Sequence, residues 1–167
     1  MQSLTEEKLP LLATFFQRAN VLIWSRFKAI MEAHVSSLAA ATPKPSPEIH
    51  PHYVARRYAE LTASLRKLQP AALEAQMTTI HRAVRGEVEK LLQERLARHH
   101  ASRKSQAAFL VNSYDLITTT INERGARAEE ASHFEQLLDS VKAVFVEEEL
   151  AVDYGNLIAY VKQTEPL

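Results

Sequence analysis

An all-α fold, an elongated antiparallel helical bundle or rod, is what this sequence predicts, and three observations predict it. Only 3 of 167 residues are glycine, while alanine, leucine, glutamate, arginine and glutamine dominate. These residues lose little rotamer freedom in a helix and carry no β-branch. Apolar residues recur at steps of three and four in several long stretches, the spacing of one helix face. Strand-like alternation never persists for more than a few residues. With 46% hydrophobic residues the chain has enough apolar surface to build one continuous core.

A first helix is expected over 9–41. Thr5, Glu6 and Glu7 would suit an earlier start, because acids favour the positive end of the helix dipole. Pro10 opposes it by removing an interior hydrogen bond. Phe16, Ile23 and Ile30 repeat every seven residues with Leu12, Ala19 and Phe27 between them, and Leu11, Phe15 and Leu22 run alongside. So wide an apolar face predicts burial against more than one neighbour. Residues 42–51 hold Pro43, Pro45, Pro47 and Pro51 and read as an extended connector. A second helix over 52–69 has the seam Val54, Tyr58, Leu61, Leu65 and Leu68, and Pro70 ends it.

The third helix is expected to be a single rod over 71–124. Its seam begins with Leu73, Met77, Ile80, Val84, Val88 and Leu91 and finishes with Leu110, Tyr114, Ile117 and Ile121. At 1.5 Å per residue such a rod is roughly 75–80 Å long. The polar run from Arg98 to Lys104 is the place for a kink, and Gly125 is a suitable stop at positive φ. A fourth helix over 126–150 carries Phe134, Leu138, Val141 and Phe145. A fifth over 153–164 carries Leu157, Ile158 and Val161. Together these make a single helical-bundle unit over residues 1–167.

The 20 basic and 20 acidic residues balance, whereas a nucleic-acid binder usually has a large basic excess. The distribution is uneven. His81 to Lys104 holds seven Arg or Lys against three Glu, and Glu123 to Glu149 holds three basic residues against eight acidic. Either these two segments neutralise each other as neighbouring helices, or the basic one offers a face to anionic lipid or a partner. The second alternative would make the chain a peripheral membrane-binding helical module. No apolar run reaches the roughly 18 residues needed to span a bilayer, since Arg18, Arg26 and Lys28 interrupt the best one around Val21–Trp24. The opening residues do not form a signal peptide.

Chemistry has little foothold. Without cysteine there is no disulfide framework, thiolate metal site or thiol nucleophile. Gly86, Gly125 and Gly155 stand too far apart for a phosphate loop, and no Gly-x-Ser-x-Gly or His-Glu-x-x-His occurs. Glu130 and His133 form one Glu-x-x-His, half of what a di-iron bundle requires, so His133 is read as a boundary residue. His99 and His100 point about 100° apart on a helix and are read as two solvated side chains, not one site. No catalytic residue, metal site or cofactor is expected. Tyr53, Arg56, Arg57 and Tyr58 combine aromatics and guanidiniums as protein interfaces do. Equally, Tyr58 belongs to the seam and the arginines snorkel along it. His52, Tyr53, Arg56 and Arg57, with Arg95, Arg98, Arg103 and Lys104 of the basic segment, are therefore the candidate interaction residues.

The stretch Pro51-His52-Tyr53-Val54-Ala55-Arg56-Arg57-Tyr58-Ala59-Glu60 resembles a segment of the vacuolar protein sorting-associated protein 52 family. So do Ser102-Arg103-Lys104 with Phe109-Leu110, Asn112 and Tyr114-Asp115. Phe134 to Leu138, Phe145 with Glu147-Glu148, and Gly155 with Leu157 and Tyr160-Val161-Lys162 follow in the same order. The resemblance runs from about Leu9 to the end and implies the C-terminal region of that family. It implies elongated bundles of the multisubunit-tether type and a non-catalytic subunit of the GARP and EARP complexes. Such a subunit acts in endosome-to-trans-Golgi retrograde transport, cytoplasmic and peripheral on trans-Golgi network and endosome membranes. Implied partners are the other subunits, a Golgi Rab GTPase and SNAREs.

Overall fold

The computed structural model describes residues 10–44, 46, 48–68, 73–125 and 129–164. Among them are five α-helices and no strand: α1 (Pro10–Ala40), α2 (Tyr53–Leu68), α3 (Glu74–Lys90), α4 (Arg103–Glu123) and α5 (Glu129–Thr164). The helix starts expected around Thr5 and at Ala126, and the break at Pro70, lie outside the described residues.

The expected single helix over 71–124 is broken. After Lys90 the chain passes through a π-helical turn, Leu91–Leu96, and a 3-10 turn, Ala97–His99. His100 is extended, and Ser102 starts α4. The π turn has a packing reason. With backbone hydrogen bonds from i to i+5 the turn is wider than an α-helical one, and Leu91, Leu92, Leu96 and Ala97 are all buried along it. Ser102 then makes a reciprocal cap: its hydroxyl accepts from the Ser105 amide at 3.0 Å, and its own amide donates to the Ser105 hydroxyl at 3.1 Å. The polar run 98–104 is thus a corner between two helices, where a kinked rod was expected.

At its far end α4 stops as expected. Gly125 adopts φ 67°, and its amide donates to the Asn122 carbonyl at 2.9 Å. The helix then packs antiparallel on α5, with Arg103 and Lys104 near Glu148 and Glu149 at one end and Asn122 near Glu135 at the other. The expected fourth and fifth helices follow one another without a loop as α5, two helical stretches separated by a kink at Tyr154, whose backbone is non-helical (φ −120°, ψ 16°).

The core gathers Tyr58 from α2, Val84 and Val88 from α3, Tyr114, Ile117 and Ile121 from α4, and Phe134 and Leu138 from α5. Phe134 is its hub, with ring centroids of Tyr58 and Tyr114 each 5.5 Å away. In α2 the centre of the buried face lies to one side of the expected seam. Ala55, Ala59 and Ala63 are fully buried, Val54, Leu61 and Leu65 are half-buried, and Leu68 is exposed. Small side chains occupy the line of closest approach because only they let two helix backbones come near. Hydrophobicity alone points instead to the larger residues beside them.

Candidate functional site

Where α2, α3 and α5 meet, the apolar core gives way to a polar cluster. Arg66 donates from Nη2 to both carboxylate oxygens of Glu130 at 3.0 and 2.9 Å, and the Glu130 side chain has no exposed surface. Next to them on α3 is buried His81, whose pKa is lowered chiefly by burial; Glu130 opposes that shift and Arg66 adds to it. His81 Nε2 has no hydrogen-bond partner among the described residues. A second layer closes over the cluster. His133 Nε2 lies 2.8 Å from Glu89 Oε1, Arg85 Nε lies 3.7 Å from the same oxygen, and Arg82 donates to Glu129 at 3.1 Å. Glu130 and His133 therefore serve different partners and do not converge on a common point. Among the described residues no group of three His, Cys, Asp or Glu is arranged to hold a metal.

The cluster is structural in character, since every charge in it is matched from a neighbouring helix. It was hidden in the sequence behind the apolar seams. Glu130 is one four-residue step before Phe134 and Leu138, and His81 stands between Met77 and Val84 in the same step pattern. A charged or polar residue on a seam was the signal available for both.

The sequence-predicted residues do not form one patch. His52 and Tyr53 stack at a 4.4 Å ring distance at the start of α2. The His52 ring nitrogen accepts weakly from the Val54 amide, 3.4 Å away, and burial lowers its pKa. Tyr53 is 71% exposed, and Arg56 and Arg57 are exposed with it. Arg57 makes only a long contact, 4.0 Å, to Glu60. These residues share one end of α2.

The basic segment is largely occupied within the chain. Arg95 donates to the carbonyls of Leu38 and Ala41 at 2.9 and 3.2 Å, placing its charge on the C-terminal end of α1. Arg103 pairs with Glu148 at 3.4 Å and Lys104 with Glu149 at 2.6 Å. Arg98 is exposed. Neutralisation between neighbouring helices thus takes up Arg82, Arg85, Arg103 and Lys104, which leaves little free basic surface for anionic lipid. His99 is solvated as expected, but His100 is buried against Phe109 at a 5.1 Å ring distance.

The largest departure from expectation is in α1. Its C-terminal half packs through Phe27, Met31, Val35 and Leu38. Its N-terminal half was expected to be buried on several sides, yet Leu12, Phe15, Phe16, Val21, Leu22 and Ile23 are all exposed, Phe16 by 57% and Ile23 by 66%. The second half of α5 behaves likewise, with Val152, Leu157 and Tyr160 exposed. Contiguous apolar surface of this extent marks an interaction face. No helix of the described residues is long and apolar enough to cross a membrane.

Comparison with known proteins agrees with the resemblance read from the sequence. The chain is 35% identical over 162 residues to vacuolar protein sorting-associated protein 52 A of Arabidopsis thaliana, covering 95% of this chain and 23% of that protein. It is 33% identical to the vacuolar protein sorting-associated protein 52 homolog of Homo sapiens, covering 95% and 22%. The homolog of Caenorhabditis elegans is 28% identical over 98% of this chain and 24% of its own length. The chain therefore spans less than a quarter of the length of these curated relatives. No solved structure matches it. The family described as "Vps52, C-terminal" matches residues 2–146, which takes in α1 through α4 and the packed half of α5, and the chain belongs to that family.

Proposed function

We propose that this chain is a non-catalytic interaction module of a vesicle-tethering complex acting in endosome-to-trans-Golgi retrograde transport. In this reading it belongs to a subunit of GARP at the trans-Golgi network and EARP on recycling endosomes. Its partners are the other subunits, and through the assembly a Golgi Rab GTPase and SNAREs. It is cytoplasmic and reaches the membrane only through the complex.

The observation that carries the reading is the bare apolar surface on α1 and α5 in a member of the Vps52 C-terminal family. The accessible surface is 11894 Å², whereas a compact monomer of 18.8 kDa exposes roughly 8,300 Å². The excess fits an elongated piece whose helices are completed by neighbours. Tyr53, Arg56 and Arg57 form the exposed aromatic and cationic end of α2, and a Rab GTPase is the partner assigned to them.

The test uses cells lacking the full-length protein. Re-expressed full-length protein restores retrograde delivery of an endocytosed trans-Golgi reporter and co-precipitates the other subunits. A version lacking the segment corresponding to residues 10–164 fails to restore delivery. Normal delivery by the deleted version refutes the reading.

A further inference from the structure

We propose that the bare face of α1 is a helix-binding seam that takes one amphipathic helix of another subunit, with an acidic side chain set against Arg26. This rests on the reading of the chain as a subunit of a larger complex. Leu12, Phe16, Ala19, Ile23, Arg26 and Ile30 are spaced by four, three, four, three and four residues. That is the a/d pattern by which two helices interlock. Counting about 100° per residue, this row lies roughly 100° around the helix from Met31, Val35 and Leu38, which pack on the core. The two rows are separate contact lines, so α1 is built to hold the core on one side and something else on the other. Leu22, Ile23, Arg26 and Ile30, with half-buried Phe27 at the edge toward the core, form a shallow, open apolar surface along the second line.

Arg26 decides the chemistry of the occupant. It is the fifth of the six positions in the row, exposed, with Ile23 before it and Ile30 after it, and the segment from Leu22 to Ile30 contains no aspartate or glutamate. A purely apolar helix laid on this surface would strip water from the guanidinium and return nothing. A helix with a carboxylate at that level answers with a bidentate pair. One charged position in an otherwise apolar seam also fixes register. A bilayer is the poorer occupant, because it would draw a charge lying within the apolar stripe below the headgroups. Surface-seeking helices keep their cations on the polar face.

The experiment places a photo-crosslinking amino acid at Ile23 of the full-length protein in cells. The complex is purified through a different subunit, and cross-linked peptides are identified by mass spectrometry. The expected product is a helical segment of another subunit with the same four-three apolar spacing and an Asp or Glu opposite Arg26. Arg26→Glu then lowers the yield of that crosslink at least tenfold, and reversing the partner's carboxylate to arginine restores it. Arg18→Glu, off the seam, leaves the yield unchanged, and thermal melting shows that both variants fold. A crosslink to a second copy, to another part of the same polypeptide or to lipid overturns the proposal. So does an intact complex without any crosslink. If the wild-type protein recovers no other subunit, the subunit reading falls, and the proposal falls with it.

Discussion

Replacing Glu130 by glutamine tests the polar cluster at the junction of α2, α3 and α5. The substitution keeps the shape and one acceptor but removes the charge that Arg66 grips with two bonds of 3.0 and 2.9 Å. The glutamate is fully buried and the arginine side chain only 17% exposed, so water cannot take over the pairing. Taking the carboxylate charge out of such a buried pair costs about 3–5 kcal/mol. For a domain of this size that corresponds to a melting temperature lowered by roughly 6–20 °C, at about 2–4 °C per kcal/mol. The control is Glu129→Gln one residue earlier, where an exposed pair with Arg82 is worth about 0–1 kcal/mol. Replacing both partners, Arg66→Met with Glu130→Leu, recovers most of the loss because neither charge then has to be desolvated. Urea denaturation followed by far-UV circular dichroism measures all of these. If Glu130→Gln costs no more than Glu129→Gln, the pair is solvated and the reasoning is wrong.

Stability falls on acidification because His81 is held neutral, its pKa lowered mainly by burial. Above the unfolded value of about 6.5 its contribution is fully present. Below that the unfolded chain binds a proton the folded chain refuses, and stability is lost at up to about 1.4 kcal/mol per pH unit. His81→Gln should flatten the slope between pH 7 and 5.5, and an equal slope in both proteins counts against the assignment. At the alkaline end Tyr114, pushed up to about 12 by burial, adds stability that is complete below about pH 10 and lost as pH rises toward 12, read by urea midpoints. Arg95→Ala removes the cation from the end of α1 and should cost about 1–2 kcal/mol, with faster amide exchange near Leu38; unchanged exchange refutes the capping role. Arg56→Glu with Arg57→Glu should leave the melting temperature unchanged and slow association with the GTP form of the candidate Golgi Rab, most at low salt. Unchanged kinetics at both low and high salt would remove these arginines from the contact. Small-angle scattering should give a radius of gyration well above the roughly 15 Å of a compact chain of this length.

The helical class, the proline-rich connector between α1 and α2, the stop at Gly125 and the Phe134–Leu138–Val141 face were all legible in the sequence. Each is set locally, by propensity, backbone restriction or period, and such signals survive without knowledge of neighbours. Three features were decided by tertiary packing. The polar run 98–104 marked a place for a bend, but helix propensity runs through Leu91 to Ser102 with neither glycine nor proline, and the full break there, preceded by the buried Leu91, Leu92, Leu96 and Ala97, appears only in the packed fold. The alanine line in α2 carries no hydrophobic signature, because its value lies in how near another backbone can come. Glu130 and His81 look out of place on apolar seams until Arg66 is brought across from a helix 64 residues away in sequence. The apolar face of α1 marks the reverse limit. Its periodicity shows that it is built for burial, but burial is a property of two surfaces, and the second is not among the described residues of this chain.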